Sequence, residues 1–261
     1  MTSFRVFAVG GVIAYRALFN WISPWMYIPT MFGSPLFQIL FFTYLGRYSG
    51  VEDDSFFIVG NAVQVCAMSS VYAMTMTIAN ERWFATLSPL LATPANRLAL
   101  FLGRGFPVLA NGLLVSAFGF FVGWALLDFD PAAGSIPPLV LVVVVTVTSC
   151  TAFGMLLGSL GLRARDVFFA ANLAYFLMLL FCGVNVPIEE LPGWMQTISS
   201  GIPLTHGIAA AREVASGATL SSVSDLVLKE AAVGLCYAVA AYGLFRFFEA
   251  ESRRRATLET M

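Results

Sequence analysis

Six long apolar stretches constrain this chain more than any other feature of its sequence. A helix that crosses the hydrocarbon core of a bilayer needs about 20 mostly apolar residues. Stretches of that kind cover residues 25–46, 56–79, 99–127, 138–162, 167–187 and 231–248. Only 11% of the 261 residues are charged, whereas a soluble domain carries about a quarter. The sequence therefore predicts an all-α integral membrane protein, one domain over residues 1–261 with six transmembrane helices.

Two further segments are apolar but too short or too interrupted to span a bilayer. In residues 3–22, Arg5 and Arg16 flank an apolar run, which predicts an amphipathic helix in the membrane interface; the alternative is a fragment of the first span. Residues 188–217 contain several glycines and prolines. Broken helices at membrane depth are tolerated where protein buries them, so this segment predicts short re-entrant helices between spans five and six. A plain solvated loop is the alternative.

Arginine is distributed unequally between the two ends of the predicted spans. An even number of spans places both termini on one side, together with Arg5, Arg16, Arg82, Arg97, Arg104, Arg163, Arg165, Arg246, Arg253, Arg254 and Arg255. The other side receives only Arg47, Arg212 and Lys229. Loops rich in Lys and Arg are cytoplasmic. We therefore expect a multi-pass protein of the cell (inner, cytoplasmic) membrane with both termini in the cytoplasm.

The sequence offers neither an energy source nor a catalytic site. It contains no G-x-x-x-x-G-K-[ST] phosphate loop, and the middle of the predicted spans carries no Asp, Glu or His for an ion relay. The only histidine is His206, so no nucleophilic triad or metal site is expected. Cys66, Cys150, Cys182 and Cys236 lie in apolar runs and are interpreted as small buried hydrophobes. Energy would then have to come from a soluble partner.

Residues 81–97, "ERWFATLSPLLATPANR", provide a surface for such a partner. This predicted cytoplasmic segment has an apolar side, is flanked by charge and is too short to span the membrane. Pro89 and Pro94 limit the length of any helix, since proline lacks the backbone donor that a helix interior needs. The pattern favours a short amphipathic helix; a loop resting on the membrane is the alternative.

Two stretches together resemble the ABC-2 type permeases, the membrane subunits of type V ATP-binding-cassette exporters. "NERWFATLSPLLATPANRLALFLGR", residues 80–104, is similar to the family's E-R-x-x-x-T-L-x-x-L-x-x-T-P-x-x-R element, although Ala85 stands where the family often has Gly. "FCGVNVPIEELPGWMQTISSGIPLTHGIAAAREV", residues 181–214, is similar to its late signature. The interface helix followed by six spans also matches the family's layout.

The resemblance implies roles for both stretches. Residues 81–97 would contain the coupling helix that docks on a separate ATPase, through Glu81, Arg82, Trp83, Phe84, Leu87, Leu90 and Pro94. The late signature would cap the outer end of the pathway, with Pro187, Trp194, Pro203, His206 and Arg212 as gate residues. Two ATPase subunits would bind ATP and Mg²⁺, and this chain would hold no cofactor. The permease would pair with a second copy or a similar permease in membrane lipid, and would bind no nucleic acid.

Polar residues at helical spacing in the second and fifth spans suggest a cargo path. They are Asn61, Gln64, Met68, Asn172, Tyr175 and Phe176. Mixed apolar surface with a few amides fits a largely apolar solute, while ordinary packing, with amides paired across helices, is the alternative. The sequence thus favours export of a hydrophobic or amphipathic drug, antibiotic, secondary metabolite or lipid. Export of a lipid-linked polysaccharide and a non-transporting membrane anchor or sensor are the competing hypotheses.

Overall fold

The computed structural model describes residue 25 and residues 28–50, 53–83, 97–161 and 167–255, with the backbone alone at 78–83, 97–102 and 248–255. Within these ranges the chain forms helices and no strands, which confirms the all-α prediction. A π-helical turn, Pro29–Gly33, leads into the first α-helix. The α-helices are α1 Ser34–Ser49, α2 Asp54–Trp83, α3 Arg97–Leu126, α4 Ile136–Gly161, α5 Val167–Phe181, α6 Gly193–Gly201, α7 Thr205–Ala215 and α8 Ser224–Arg255.

Four of the described helices are long and apolar enough to cross a membrane. The qualifying segments are Asp54–Thr77, Gly103–Leu126, Ile136–Gly161 and Ser224–Phe247. The fifth predicted span corresponds to α5, which has only 15 residues. At 1.5 Å of rise per residue it is about 23 Å long, shorter than the ~30 Å hydrocarbon core. The first predicted span corresponds to α1, whose 16 residues follow the π-helical turn Pro29–Gly33 without a break. The structure supports a four-span core, and the count of six stays a prediction.

The fifth and sixth predicted spans differ in their boundaries from the observed helices. The fifth stretch was expected to run to residue 187, but α5 ends at Phe181, and Gly183 adopts a left-handed conformation two residues later. The last stretch was expected over 231–248, but α8 begins at Ser224 and continues to Arg255. A span predicted from hydropathy stops at the first charged residue. An α-helix can continue through charged residues of good helical propensity. Lys229 and Glu230 therefore lie within α8.

Helix α2 occupies the centre of the bundle and contacts α1, α3, α4, α5 and α7. Glycines allow the neighbouring backbones to approach it closely. A Cβ on Gly154 of α4 would lie 2.7 Å from the Val71 carbonyl oxygen, and one on Gly119 of α3 would lie 2.9 Å from Ala62 Cα. Small residues at such crossings are how membrane helices gain packing contact without a hydrophobic driving force between them.

The cysteines follow their predicted environment with one exception. Cys66, Cys150 and Cys182 are buried in the main apolar core, as expected. Cys236 is exposed on α8, which corrects the expectation that all four would be buried. An apolar stretch in a membrane helix has a lipid-facing side as well as a packed side, and hydropathy alone does not distinguish them.

One end of the bundle is here called the acidic end, because its turns contain Asp53, Asp54, Asp128, Asp130, Glu189 and Glu190. There the turn between α1 and α2 is closed by Arg47 Nη2, 2.6 Å from Asp54 Oδ2. The turn between α3 and α4 is joined to the end of α7 by the Ala132 amide, which donates to the Ala215 carbonyl at 3.1 Å. Helices α6 and α7 lie at this end and provide two short helices within residues 188–217.

The close crossing of α2 and α4 makes a prediction about stability. We expect Gly154→Ala to destabilise the protein by about 1–3 kcal/mol, because the new methyl group overlaps backbone atoms of α2. Gly243→Ala in α8 is the matched control, since no other heavy atom described lies within 4 Å of its Cβ position. Thermal unfolding of the two purified variants in detergent checks this. Equal midpoints would contradict the proposed crossing.

Candidate functional site

A polar network joins three helices near the acidic end of the bundle. Gln38 Nε2 of α1 donates to Asn61 Oδ1 of α2 at 3.0 Å, and Tyr175 Oη of α5 donates to Gln38 Oε1 at 2.7 Å. Asn61 Nδ2 in turn donates to Asn185 Oδ1 at 2.8 Å and to the Phe57 carbonyl at 2.9 Å. Asn61 is fully buried. The network satisfies polar groups that hydrocarbon would leave without partners, so it fixes α1 and α5 against α2.

A second polar contact joins α2 and α5. Asn172 Nδ2 donates to Tyr72 Oη at 3.2 Å and to the Phe168 carbonyl at 2.9 Å. The Tyr72 and Phe168 rings meet edge to face, with centroids 5.2 Å apart. Of the six predicted cargo residues, the structure thus places Asn61, Asn172 and Tyr175 along a single α2–α5 interface. Met68 and Phe176 are exposed on the same two helices.

Gln64 differs from the other predicted cargo residues. Its side chain is fully buried, and neither its nitrogen nor its oxygen has a hydrogen-bond partner among the described residues. Gln64 and Thr75 are 11 residues apart, which places them on one face of α2. Thr75 Oγ1 donates to the Gly154 carbonyl of α4 at 3.1 Å. Asn61 is only about 60° from Gln64 around the helix, yet the Gln64 amide takes no part in the Asn61 network.

Sequence reasoning missed Gln38, which links Asn61 to Tyr175. The available signal was an isolated amide within the apolar run "PLFQILFF". An amide in hydrocarbon needs a partner, and Asn61 on the neighbouring span was the nearest candidate. Its position in α1 places three helices, not two, around the candidate path.

Helices α1 and α5 also present exposed aromatic and aliphatic side chains, here called the aromatic surface. It comprises Phe37, Phe41, Tyr44 and Tyr48 on α1, and Phe168, Phe169, Leu173 and Phe176 on α5. Each helix carries these residues at spacings of three, four or one, as expected of a stripe along one side. Lipid or another membrane helix has to cover a surface of this kind.

Arg212, one of the predicted gate residues, ties α7 to the start of α2. Its Nη2 donates to the Phe56 carbonyl at 3.0 Å and to the Val184 carbonyl at 2.9 Å. The guanidinium carbon lies 3.4 Å from the centroid of the Phe56 ring. Gly60 leaves room for this contact, because a Cβ there would lie 2.6 Å from Nη2. A planar guanidinium suits this combination of two carbonyls and a ring, which lysine cannot reproduce.

The other predicted gate residues lie around α6. Pro187 is the residue before a 3₁₀ turn, Ile188–Glu190, and Trp194 packs edge to face on Phe181 of α5 with centroids 6.1 Å apart. The Pro203 carbonyl accepts a hydrogen bond from the Cys182 thiol at 3.6 Å. His206 Nε2 lies 3.2 Å from the Ser200 carbonyl oxygen. The structure thus gathers all five predicted gate residues at the acidic end.

The predicted coupling residues are placed only in part. Glu81, Arg82 and Trp83 form the end of α2, which therefore continues beyond the expected residue 79. Phe84, Leu87, Leu90 and Pro94 lie outside the described residues, as does the predicted interface helix over 3–22. Helix α3 begins at Arg97. The segment predicted to dock on an ATPase therefore joins two long helices of the bundle.

Glu230 is a carboxyl group inside a candidate span, close to the end of that span rather than in its middle. It is fully buried in α8, inside the candidate span Ser224–Phe247. Its two oxygens accept hydrogen bonds from the backbone amides of Leu204, at 2.8 Å, and Gly207, at 3.1 Å. Sequence reasoning left Glu230 out of the last span because the apolar stretch was taken to begin at residue 231. The continuous helical pattern of "SDLVLKEAAVGL" was the signal that could have found it.

Comparison with known proteins agrees with this architecture. Residues 11–215 match the family described as ABC-2 type transporter. Because the match covers most of the chain, this protein belongs to the ABC-2 type transporter family, and the predicted resemblance is confirmed. The apolar helices and the family together make it a membrane-spanning member of the ABC-2 type transporter family.

Two curated relatives are similar to the chain over a shorter part of their own length. "Probable multidrug ABC transporter permease YbhR" of Escherichia coli strain K12 is 25% identical over 202 residues, which is 76% of this chain and 54% of the relative. The protein of the same name from Escherichia coli O157:H7 gives the same values. The chain thus spans about half the length of the curated relatives it matches.

The contrast between Gln38 and Gln64 makes a prediction. We expect Gln64→Leu to keep or raise stability, because it removes a buried amide that has no partner among the described residues. Gln38→Leu is the matched comparison. It leaves Asn61 and Tyr175 without their partner and should cost about 1–3 kcal/mol. Thermal unfolding of both purified variants measures the difference, and a loss for Gln64→Leu as large as that for Gln38→Leu would contradict this assignment.

Proposed function

We propose that this chain is the membrane-spanning subunit of an ABC exporter that moves a hydrophobic or amphipathic solute outward. ATP is hydrolysed, with Mg²⁺, on a separate ATPase subunit. The observation that carries the proposal is membership of the ABC-2 family in a chain that has no phosphate loop of its own. A permease of this kind has to receive its energy mechanically, through a surface on which an ATPase can dock.

The composition of the α1–α2–α5 region supports an apolar cargo. A few amides and tyrosines, including Gln38, Asn61 and Tyr175, stand among exposed aromatic side chains. Such a wall binds a largely apolar ligand by burial and orients it with a small number of hydrogen bonds. The curated relatives are named as multidrug permeases, in keeping with a drug, antibiotic, secondary metabolite or lipid as cargo.

The aromatic surface of α1 and α5 supports assembly as a pair. A second permease, either another copy or a similar chain, packs against it, and the cargo path lies between the two. Two such permeases then receive two ATPases. In a bilayer, helices associate through packing and interhelical hydrogen bonds. The Phe-rich stripes of α1 and α5 offer the packing, and the neighbouring amides offer the hydrogen bonds.

The charge distribution supports an orientation with the acidic end outside the cell. The opposite end contains Arg97 and the run Arg253, Arg254 and Arg255. Cytoplasmic ends are the ones rich in arginine, so both termini face the cytoplasm of a cell-membrane protein. Helices α6 and α7 then form re-entrant helices that cap the outer end of the path. The coupling helix within residues 81–97 faces the ATPase.

Helix α2 supports a direct mechanical route from the ATPase to the cargo path. Asn61 and Trp83 lie on this one continuous helix, 22 residues and therefore about 33 Å apart. A displacement of the segment that follows Trp83 moves α2 as a rod. Because the polar network joins Asn61 to α1 and α5, that movement changes the wall of the path.

The decisive variant is Leu87→Asp. A charge on the apolar side of the coupling helix should prevent it from seating in a groove of the ATPase, since anchors of this kind often cost more than ~2 kcal/mol when removed. We expect loss of ATPase co-elution or of cargo-stimulated ATP hydrolysis, while the permease still inserts and elutes as before. Co-purification and turnover with ethidium, an amphipathic cation, measure both effects.

Ser88→Asp provides the matched control. It adds the same charge at the next position, which points about 100° away from Leu87 on a helix. This variant should keep the ATPase bound and responsive. Wild-type co-elution and stimulation for Leu87→Asp would refute the coupling role of residues 81–97. Residues 81–97 would then be interpreted as a loop resting on the membrane.

A further inference from the structure

Glu230, a residue of α8, accepts hydrogen bonds from the start of α7. Its carboxylate accepts from the amides of Leu204 and Gly207, the residues that precede and complete that turn. Leu204 has no side-chain oxygen to cap α7, and no side-chain cap is present at this helix start. Helix N-termini leave several amides without intrahelical partners, and a carboxylate is the strongest acceptor for them. Glu230 thus supplies from α8 the cap that the local sequence lacks.

The backbone around this contact is strained and tightly packed. Leu204 has φ of 91°, a value that non-glycine residues rarely adopt. Strained residues persist only where their surroundings hold them in place. Leu204 is fully buried, and a Cβ on Gly207 would overlap the Thr146 side chain of α4. The segment 199–207, here called the elbow, therefore keeps its shape through contacts with other helices.

A second residue of α8 holds the same elbow. Tyr237, two turns after Glu230, donates its hydroxyl to the Gly201 carbonyl at 2.9 Å. Its ring packs edge to face on Phe153 of α4, with centroids 4.9 Å apart. One side chain of α8 thus accepts from elbow amides, and another donates to an elbow carbonyl.

The buried side of α8 continues from the elbow toward the opposite end of the bundle. Glu230, Gly234, Ala241 and Phe245 are buried at helical spacing. Helix α8 therefore contacts the elbow near one end, and toward its other end Phe245 joins a small buried cluster with Met74 of α2 and Val108 of α3. Met74 lies nine residues before the end of α2 at Trp83.

We infer that Glu230 is a positioning residue for transport, which holds the α6–α7 elbow to α8 so that movement of α8 shifts the outer cap. The inference rests on the proposed function. A charged group buried in a membrane helix is expensive to keep and usually serves function. Among the described residues, no lysine or arginine forms an ion pair with Glu230. Its hydrogen bonds are to the elbow amides, and Ser149 of α4 also lies beside it, so α8 is tied to the elbow at this point.

The first test measures the contact without any need for transport. Glu230→Gln keeps the shape of the side chain but replaces one acceptor oxygen with a donor, so one elbow amide loses its partner. Hydrogen–deuterium exchange of residues 202–208 in the purified permease should become about tenfold faster or more. Glu213→Gln, which changes an exposed carboxylate of α7, should leave exchange at the wild-type rate. Unchanged exchange in Glu230→Gln would overturn the inference.

The second test measures coupling in the complete complex. Proteoliposomes that contain the permease and its ATPase are loaded with ethidium as the probe. Glu230→Gln should keep ATP hydrolysis within about twofold of wild type while ethidium transport falls about tenfold, a change typical of a lost coupling between sites. Faster exchange with full transport would show that Glu230 only caps α7. That result would overturn the inference that movement of α8 shifts the outer cap.

Tyr237→Phe covers the case in which Glu230→Gln does not fold. It removes only the hydroxyl that binds the Gly201 carbonyl. Tyr237→Phe should also speed exchange and lower ethidium transport, by smaller factors than Glu230→Gln. Wild-type values for both would overturn the inference that movement of α8 shifts the outer cap. Failure of the wild-type complex to transport ethidium with ATP would instead contradict the proposed function. The exchange measurement would still decide whether α8 holds the elbow.

Discussion

The rest of the structure depends on one constraint: a polar group within the bilayer has to find its partner inside the protein. Helix α2 shows how the fold meets it. The Ser116 hydroxyl of α3 donates to the Ala62 carbonyl at 2.8 Å, and Thr75 of α2 donates to the Gly154 carbonyl of α4 at 3.1 Å. Asn61 completes its bonds through α1 and the Asn185 loop. Each neighbour of α2 is thus fixed in rotation as well as in distance.

The same constraint explains the hydrogen bonds that join helices at the acidic end. Arg212 and Glu230 both satisfy backbone groups of other segments there, the first binding carbonyls and the second binding amides. Each side chain comes from a different helix, so α2, α7 and α8 are joined at this end by charge-assisted hydrogen bonds, which are stronger than neutral ones. A path that opens at this end has to move these helices together or break those bonds.

Much of the fold could be predicted because it follows from hydropathy and from glycine and proline. The apolar stretches located α2, α3, α4 and α8, and the interruptions within residues 188–217 predicted the short helices α6 and α7. The family could be read from two stretches of specific residues. Helix lengths were predicted less well, because α5 is shorter than its apolar stretch and α8 is longer.

The site could be predicted only at the level of residue types. Asn61, Asn172 and Tyr175 were selected by spacing, and the structure brings them to one interface. Their partners Gln38 and Tyr72, and the isolation of Gln64, depend on how helices rotate and pack, which periodicity within one helix does not contain. Glu230 was missed for a related reason: hydropathy treats a charge as the end of a span. The carboxyl group is tolerated here because two amides from a distant segment donate hydrogen bonds to it.

The central claim is that this permease converts ATP hydrolysis on another subunit into movement of an amphipathic solute. Ethidium transport in proteoliposomes containing the permease and its co-purified ATPase tests it most directly. The account predicts transport that requires ATP and Mg²⁺ on the ATPase side and does not respond to a proton gradient alone. Transport driven by a proton gradient without ATP, or ATP hydrolysis with no movement of ethidium or other amphipathic cargo, would contradict it.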